Sequence, residues 1–220
     1  MPEQNPLTTA IVTGGHPFDV QGFHQLFRSL EGIDAYVQHL DDFASAPEEV
    51  RDAYDVVVFY IMFPGEPTND GIPWYSGEPR TALDHLGTTK QGIVVLHHAV
   101  VSYPDYSLWT ELVGIGTRNA TPHFDVTIRT EVADSDHPIS QGIQPWKMVD
   151  ESYEMDSPDQ DSRPLLTTDH PDSMRVLAWT RQFRNARVFC YQSGHDEQAW
   201  KNPAFRTILG RGILWTVEQL

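Results

Sequence analysis

Three apolar runs in this chain stop at histidine. TTAIVTGG is followed by His16, the run inside GIVVLHHAV by His97 and His98, and ARVFCYQSG by His195. Glycine precedes His16 and His195, and glycine lets a backbone turn sharply where a strand ends. If the three runs are strands of one sheet, their imidazoles share the edge at which open parallel sheets bind ligands. Asp150-Glu151-Ser152-Tyr153 adds two carboxylates and a phenol. Imidazoles combined with carboxylates bind divalent metals or move protons.

Nucleophilic chemistry lacks its residue. The turn after the central run reads Leu96-His97-His98-Ala99, whereas turns of this kind in related architectures present a Ser or Cys. Ser102 belongs to no G-x-S-x-G motif, and Cys190, the single cysteine, sits mid-strand as a small hydrophobe. One thiol also leaves any metal to imidazole and carboxylate ligands. Gly14-Gly15-His16-Pro17 cannot form G-x-G-x-x-G, so no nucleotide cofactor is expected.

The elements that must position these residues alternate. Strand-like runs at 8–15, 33–40, 54–61 and 92–96 are separated by helical patterns at 20–30, 45–53 and from Pro79. Continuous apolar strands between helices indicate a parallel sheet covered on both faces. A Pro- and Gly-rich segment between Met62 and Glu78 is expected to lie over the strand ends. From about Thr121 to Thr180 the pieces become strand-like, forming either an antiparallel extension or a separate β layer. Asn202-Pro203 opens a final helix. The 220 residues fit one α/β domain with a β-rich insertion at about 121–180.

Charge excludes some partners. With 31 acidic against 15 basic residues the net charge is −16, which repels nucleic acid and anionic membranes. No apolar run approaches the roughly 18 residues of a spanning helix. MPEQNPLTTA lacks a signal-peptide pattern, so a cytoplasmic location is expected.

Five stretches, in order, carry a resemblance: GGHPFD (14–19), VVLHHAV with YPDYSLW (94–109), DHPISQGI with DESYEM, LLTTDHPDS with LAWT (165–180), and SGHDEQAWKNPAFRTILGRGILW (193–215). On these the chain resembles the ThuA-like family, named for trehalose utilisation, of the class I glutamine amidotransferase-like superfamily. The resemblance implies a flavodoxin-like three-layer αβα sandwich with a mostly parallel central sheet and no amidotransferase cysteine. It also implies disaccharide catabolism, and it singles out His16, His98, Glu151, Tyr153 and His195. Gly114-Ile115-Gly116-Thr117 departs from the family's Gly-Gly-aromatic turn.

The resulting expectation is an enzyme acting on a neutral sugar or keto-sugar. His98 and His195, with His16 as third ligand, would bind a divalent metal (Zn, Mn or Fe), with His98 also catalytic. Glu151 would act as general base, and Tyr153 would donate to a hydroxyl or oxyanion. Trp74, Tyr75, Tyr106 and Trp109 would offer flat surfaces to sugar rings, with Asp150 and His97 also near substrate. His98 is expected to face the cleft while His97 turns inward to hold the elbow. The competing expectation is a non-catalytic sugar-binding or assembly module for a partner oxidoreductase. A homo-oligomer is expected in either case.

Overall fold

The computed structural model describes residues 5–220. In chain order its strands are β1 (Leu7–Gly14), β2 (Ile33–His39), β3 (Val56–Ile61), β4 (Gly92–Leu96), β5 (Thr121–Val132), β6 (Trp146–Glu154), β7 (Arg163–Thr167), β8 (Val176–Phe183) and β9 (Ala186–Tyr191). The helices are α1 (Val20–Arg28), α2 (Leu40–Ser45), α3 (Glu48–Arg51), α4 (Pro79–Asp84), α5 (Ser107–Val113), α6 (Glu197–Trp200) and α7 (Pro203–Thr216).

The strands form one sheet in the order β2-β1-β3-β4-β9-β8-β7-β5-β6. From β2 to β9 every pair is parallel, the arrangement that apolar strands separated by helices dictate. This half follows the 2-1-3-4-5 order of flavodoxin-like sheets. From β9 to β6 every pair is antiparallel. The expectation of a mostly parallel sheet is therefore corrected: the sheet is mixed, and its second half is antiparallel. The strand-like pieces from Thr121 extend this sheet rather than form a separate layer. The reason is local connection length. Phe183 pairs with Ala186, so only Arg184 and Asn185 join β8 to β9, and a link that short makes only a hairpin.

Side-chain alternation along the parallel strands builds two cores. Val57, Phe59, Ile61, Ile93 and Val95 pack with Phe43, Leu83, Trp109 and Leu112 from α2, α4 and α5. Val56, Val58, Tyr60, Val94 and Leu96 pack with Phe23, Phe27, Ile208 and Leu209 from α1 and α7. Each large side chain buried this way contributes about 1.5–3 kcal/mol. The sheet edge is thereby clamped between two helix layers, and the residues just beyond it inherit a rigid base.

β5 changes partners along its length. Thr121 to Thr130 pair with β6, while Glu131 and Val132 pair with β7. β6, paired only to β5, thereby lies against the ends of β4 and β9. There Gln192 Nε2 donates to Glu151 O at 3.2 Å. The Met62–Glu78 segment is tied to the chain beyond β4: Phe63 N donates to Ser102 Oγ, and Tyr103 N to Phe63 O.

The helix behind β4 and β9 depends on its cap. Asn202 Oδ1 accepts from Ala204 N at 2.9 Å and Phe205 N at 3.3 Å, with Pro203 at the first helical position. Asn202→Ala is expected to lower stability by about 1 kcal/mol in urea unfolding, and Asn202→Asp to retain it. An alanine variant as stable as the parent would contradict this role.

Candidate active site

β1, β4 and β9 all end at one sheet edge, and the next residues carry the histidines. Immediately after Leu96 the backbone of His97 turns into the left-handed region, with φ of 53°. A side chain there costs roughly 1–2 kcal/mol in a non-glycine residue, so surrounding contacts must hold it. They do. His97 Nδ1 donates to Gln192 O at 2.7 Å, just beyond β9. That bond places the proton on Nδ1 and leaves Nε2 directed at Glu151 Oε2, 2.9 Å away, and at His195 Nδ1, 3.1 Å away. His195 Nδ1 lies 2.9 Å from the same Glu151 oxygen, and Tyr153 O–H donates to it at 3.0 Å.

Two β6 residues set this triangle. Glu151 enters it directly. Asp150, its neighbour, is wholly enclosed and accepts from three backbone amides: Gly194 N at 2.8 Å, His195 N at 3.0 Å and Glu151 N at 3.0 Å. It clamps the His195 turn and touches no open space, so its expected contact with substrate is replaced by a positioning role. Tyr60 O–H adds a bond to His195 O at 2.8 Å.

Electrostatics follow from burial and neighbours. Burial raises the Glu151 carboxyl, but the hydrogen bond from His195 and the neighbouring His97 outweigh it and hold the group well below the usual carboxylate range. The same bond to Glu151, against the cost of burial, raises the His195 imidazole above its ordinary value. Burial pushes Asp150 up, against the pull of His97 and the three amides. Burial, reinforced by Glu151, raises the Tyr153 phenol, which keeps its proton and gives it to Glu151. Its proton is therefore committed to the carboxylate rather than aimed at a substrate oxygen.

The metal-ligand expectation is rearranged. Among the described residues, His97, Glu151 and His195 offer ligand atoms that all lie within 4.8 Å of one another. Two imidazoles and a carboxylate suit zinc or iron, and the Gln192 carbonyl sets the His97 tautomer as outer partners of metal-bound histidines do. His16 and His98 are adjacent but outside this group. His98 turns its Nδ1 to Ile61 O at 3.0 Å, and its ring packs 4.5 Å from that of His16. His97, expected to brace the elbow, is thus the elbow residue that reaches Glu151. His97 takes the left-handed backbone, and its bond to Gln192 O aims Nε2 at the carboxylate.

The expected sugar platforms fare unequally. Trp109 is fully buried and donates through Nε1 to Ala99 O at 2.9 Å. Tyr106 is buried too, its hydroxyl 2.6 Å from Asp84 Oδ1. Neither presents a face to a ligand. Trp74 and Tyr75 are exposed and pack on each other, and neither makes a ring contact with the histidines. An exposed aromatic beside the cluster is Phe124, 63% exposed, with its ring 6.0 Å from that of His195. A bulge in β5 between His123 and Val126 delivers it, and Asp125 within the bulge has φ of 53°.

A model of the ThuA family, described as trehalose utilisation, matches residues 13–216. The chain belongs to the ThuA family. A ThuA-like protein from Parabacteroides merdae superposes with a TM-score of 0.73 at 18% identity, covering 97% of this chain and 90% of that one. One from Bacteroides uniformis gives 0.71 at 16% identity, covering 99% and 95%. A cytoplasmic protein from Salmonella typhimurium gives 0.68 at 13%, covering 96% and 99%. At these identities the likeness establishes a shared fold. No curated protein matches this sequence. Among the described residues no helix is long and apolar enough to cross a membrane.

ThuA proteins have a glutamine amidotransferase-like fold. In this ThuA chain the strained residue after the central strand is the imidazole of His97 where such a turn elsewhere carries a nucleophile. Cys190 is buried in β9, where burial pushes its thiol up and away from reactivity.

His98 makes the ThuA site acid-sensitive. Burial, then the neighbouring His97, pushes its pKa down from 6.5 to about 2. The unfolded chain therefore takes up a proton that the folded chain refuses. The stability tied to neutral His98 is complete above pH 6.5 and is lost progressively as pH falls toward 2. Urea midpoints of the metal-free chain should fall with acidification below pH 6.5, and more gently in His98→Gln. Parallel profiles for the two would contradict it.

Proposed function

We propose that this ThuA-family chain is an enzyme of carbohydrate utilisation that acts on a neutral sugar or keto-sugar with a divalent metal at His97, Glu151 and His195. One observation carries the reading. Three potential ligand atoms, one from β6 and two from the turns just beyond β4 and β9, meet at 2.9, 2.9 and 3.1 Å at the edge where parallel sheets bind ligands. Bound there, zinc or iron would supply Lewis-acid polarisation of a carbonyl or hydroxyl oxygen.

The chain's own residues supply the rest. Gln192 O fixes the His97 tautomer, Tyr153 steadies Glu151 by hydrogen bonding, and Asp150 holds the His195 turn. Glu151 is the anionic ligand in this arrangement, in place of the general base anticipated from sequence. Phe124 offers the apolar wall on which a sugar face can pack, in place of Tyr106 and Trp109. The net charge of −16 favours a neutral substrate over a phosphorylated one.

Elemental analysis of the purified chain tests the reading. Near-stoichiometric zinc, manganese or iron is expected in the parent, together with turnover of a neutral disaccharide or its keto derivative. Glu151→Gln is expected to lose both while staying folded. A parent without metal, or a variant that keeps metal and turnover, would contradict the assignment.

A further inference from the structure

Two nitrogen atoms beside the His97–Glu151–His195 cluster have no partner. His98 is fully enclosed, and its Nδ1 sits 3.0 Å from Ile61 O. A carbonyl only accepts, so Nδ1 carries the proton and Nε2 keeps a bare lone pair. That Nε2 is buried without a hydrogen-bond partner. His16 Nδ1 is also buried and unpartnered. The two rings lie 4.5 Å apart between centroids, at 40° to each other, and the His16 ring is 5.7 Å from that of His195. Buried polar atoms in folded proteins nearly always have a partner, so two orphans on packed neighbouring rings indicate a polar group that they are placed to receive.

The backbone is built to bring them together. Gly15 has φ of 74°, and a Cβ there would collide with the Met62 carbonyl. Only glycine lets the chain leave β1 in this direction and lay His16 over His98.

We propose that His98 Nε2 and His16 Nδ1 form a hydroxyl-binding subsite that accepts a neutral alcohol group of the substrate, held next to the His97–Glu151–His195 cluster. The proposal rests on the sugar-site reading above and names the residues that select the substrate. A hydroxyl both donates and accepts, so it can donate to the bare His98 nitrogen and still engage His16. Phosphate and carboxylate oxygens are acceptors and would oppose that lone pair, with the Glu151 and Asp150 carboxyls close behind the histidines. An apolar group would leave both nitrogens unsatisfied. A cation has the better donor set at the neighbouring group, which includes a carboxylate. Sites that hydrogen-bond a hydroxyl discriminate strongly against analogues that lack it.

The test uses the full-length chain, loaded with zinc and carrying ¹⁵N-labelled histidine. Two-bond proton–nitrogen spectra report His98 Nε2 and His16 Nδ1 during separate titrations with trehalose and with trehalose 6-phosphate. Zinc content is measured on the same samples. Trehalose is expected to move both nitrogens toward hydrogen-bonded shifts, and the phosphate to bind at least roughly tenfold more weakly. His16→Phe, in the exposed turn, is expected to cut trehalose affinity about tenfold or more while zinc content stays at the parent level. The proposal is overturned if trehalose moves neither nitrogen, if the phosphate binds as tightly, or if His16→Phe binds trehalose like the parent. Absence of zinc at the cluster would overturn the metal reading instead, and the nitrogen shifts judge the hydroxyl subsite independently of it.

Discussion

A carboxylate enclosed between two imidazoles loses its water, and only strong donors or a cation offset that loss. Glu151 Oε2 faces His97 Nε2, His195 Nδ1 and the Tyr153 hydroxyl within 3.0 Å. The His97 proton is already committed to Gln192 O, so neutral His97 meets the carboxylate with a lone pair rather than a donor. Acceptor facing acceptor at 2.9 Å needs a positive centre between or upon them. An extra proton supplies one solution, and a divalent cation supplies another. Much of the surrounding structure holds these three atoms in that relation.

Each half of the mixed sheet has a part in it. The parallel half aligns the ends of β1, β4 and β9, so that residues far apart in sequence share an edge. The antiparallel half carries β6 to the same edge, because β5 divides its pairing between β6 and β7. Without that division Glu151 would be one more residue of an outer strand. The left-handed turn at His97 then selects which of two adjacent histidines meets the carboxylate. Backbone strain of this kind persists where neighbours over-determine it, and the bond to Gln192 O is one such neighbour.

Much of this was legible in the residues. Continuous apolar runs such as Val56–Ile61 announce strands buried on both faces, and histidines following three of them announce a shared edge. DESYEM was recognisable as a source of carboxylates. The exchange of roles between His97 and His98 was not, because periodicity says nothing of a positive φ at a single non-glycine residue. Trp109 and Tyr106 are aromatic for packing: their polar atoms are spent on Ala99 O and Asp84, which composition cannot reveal. Phe124 lay in an ordinary-looking alternating strand, and only the bulge at His123–Val126 directs it toward His195. Asp150 read as a ligand-facing carboxylate, yet two of its three amide donors come from backbone just beyond β9 and the third from its neighbour Glu151. The antiparallel half was visible as strands but not as order, since only the two-residue link from β8 to β9 dictates its own pairing.

X-ray absorption spectroscopy at the metal edge of the loaded protein tests the central claim most directly, because it reads the ligand types themselves. Coordination by His97, Glu151 and His195 predicts two imidazoles together with a carboxylate oxygen. A shell of three imidazoles with no carboxylate, the set His16, His98 and His195, would contradict it.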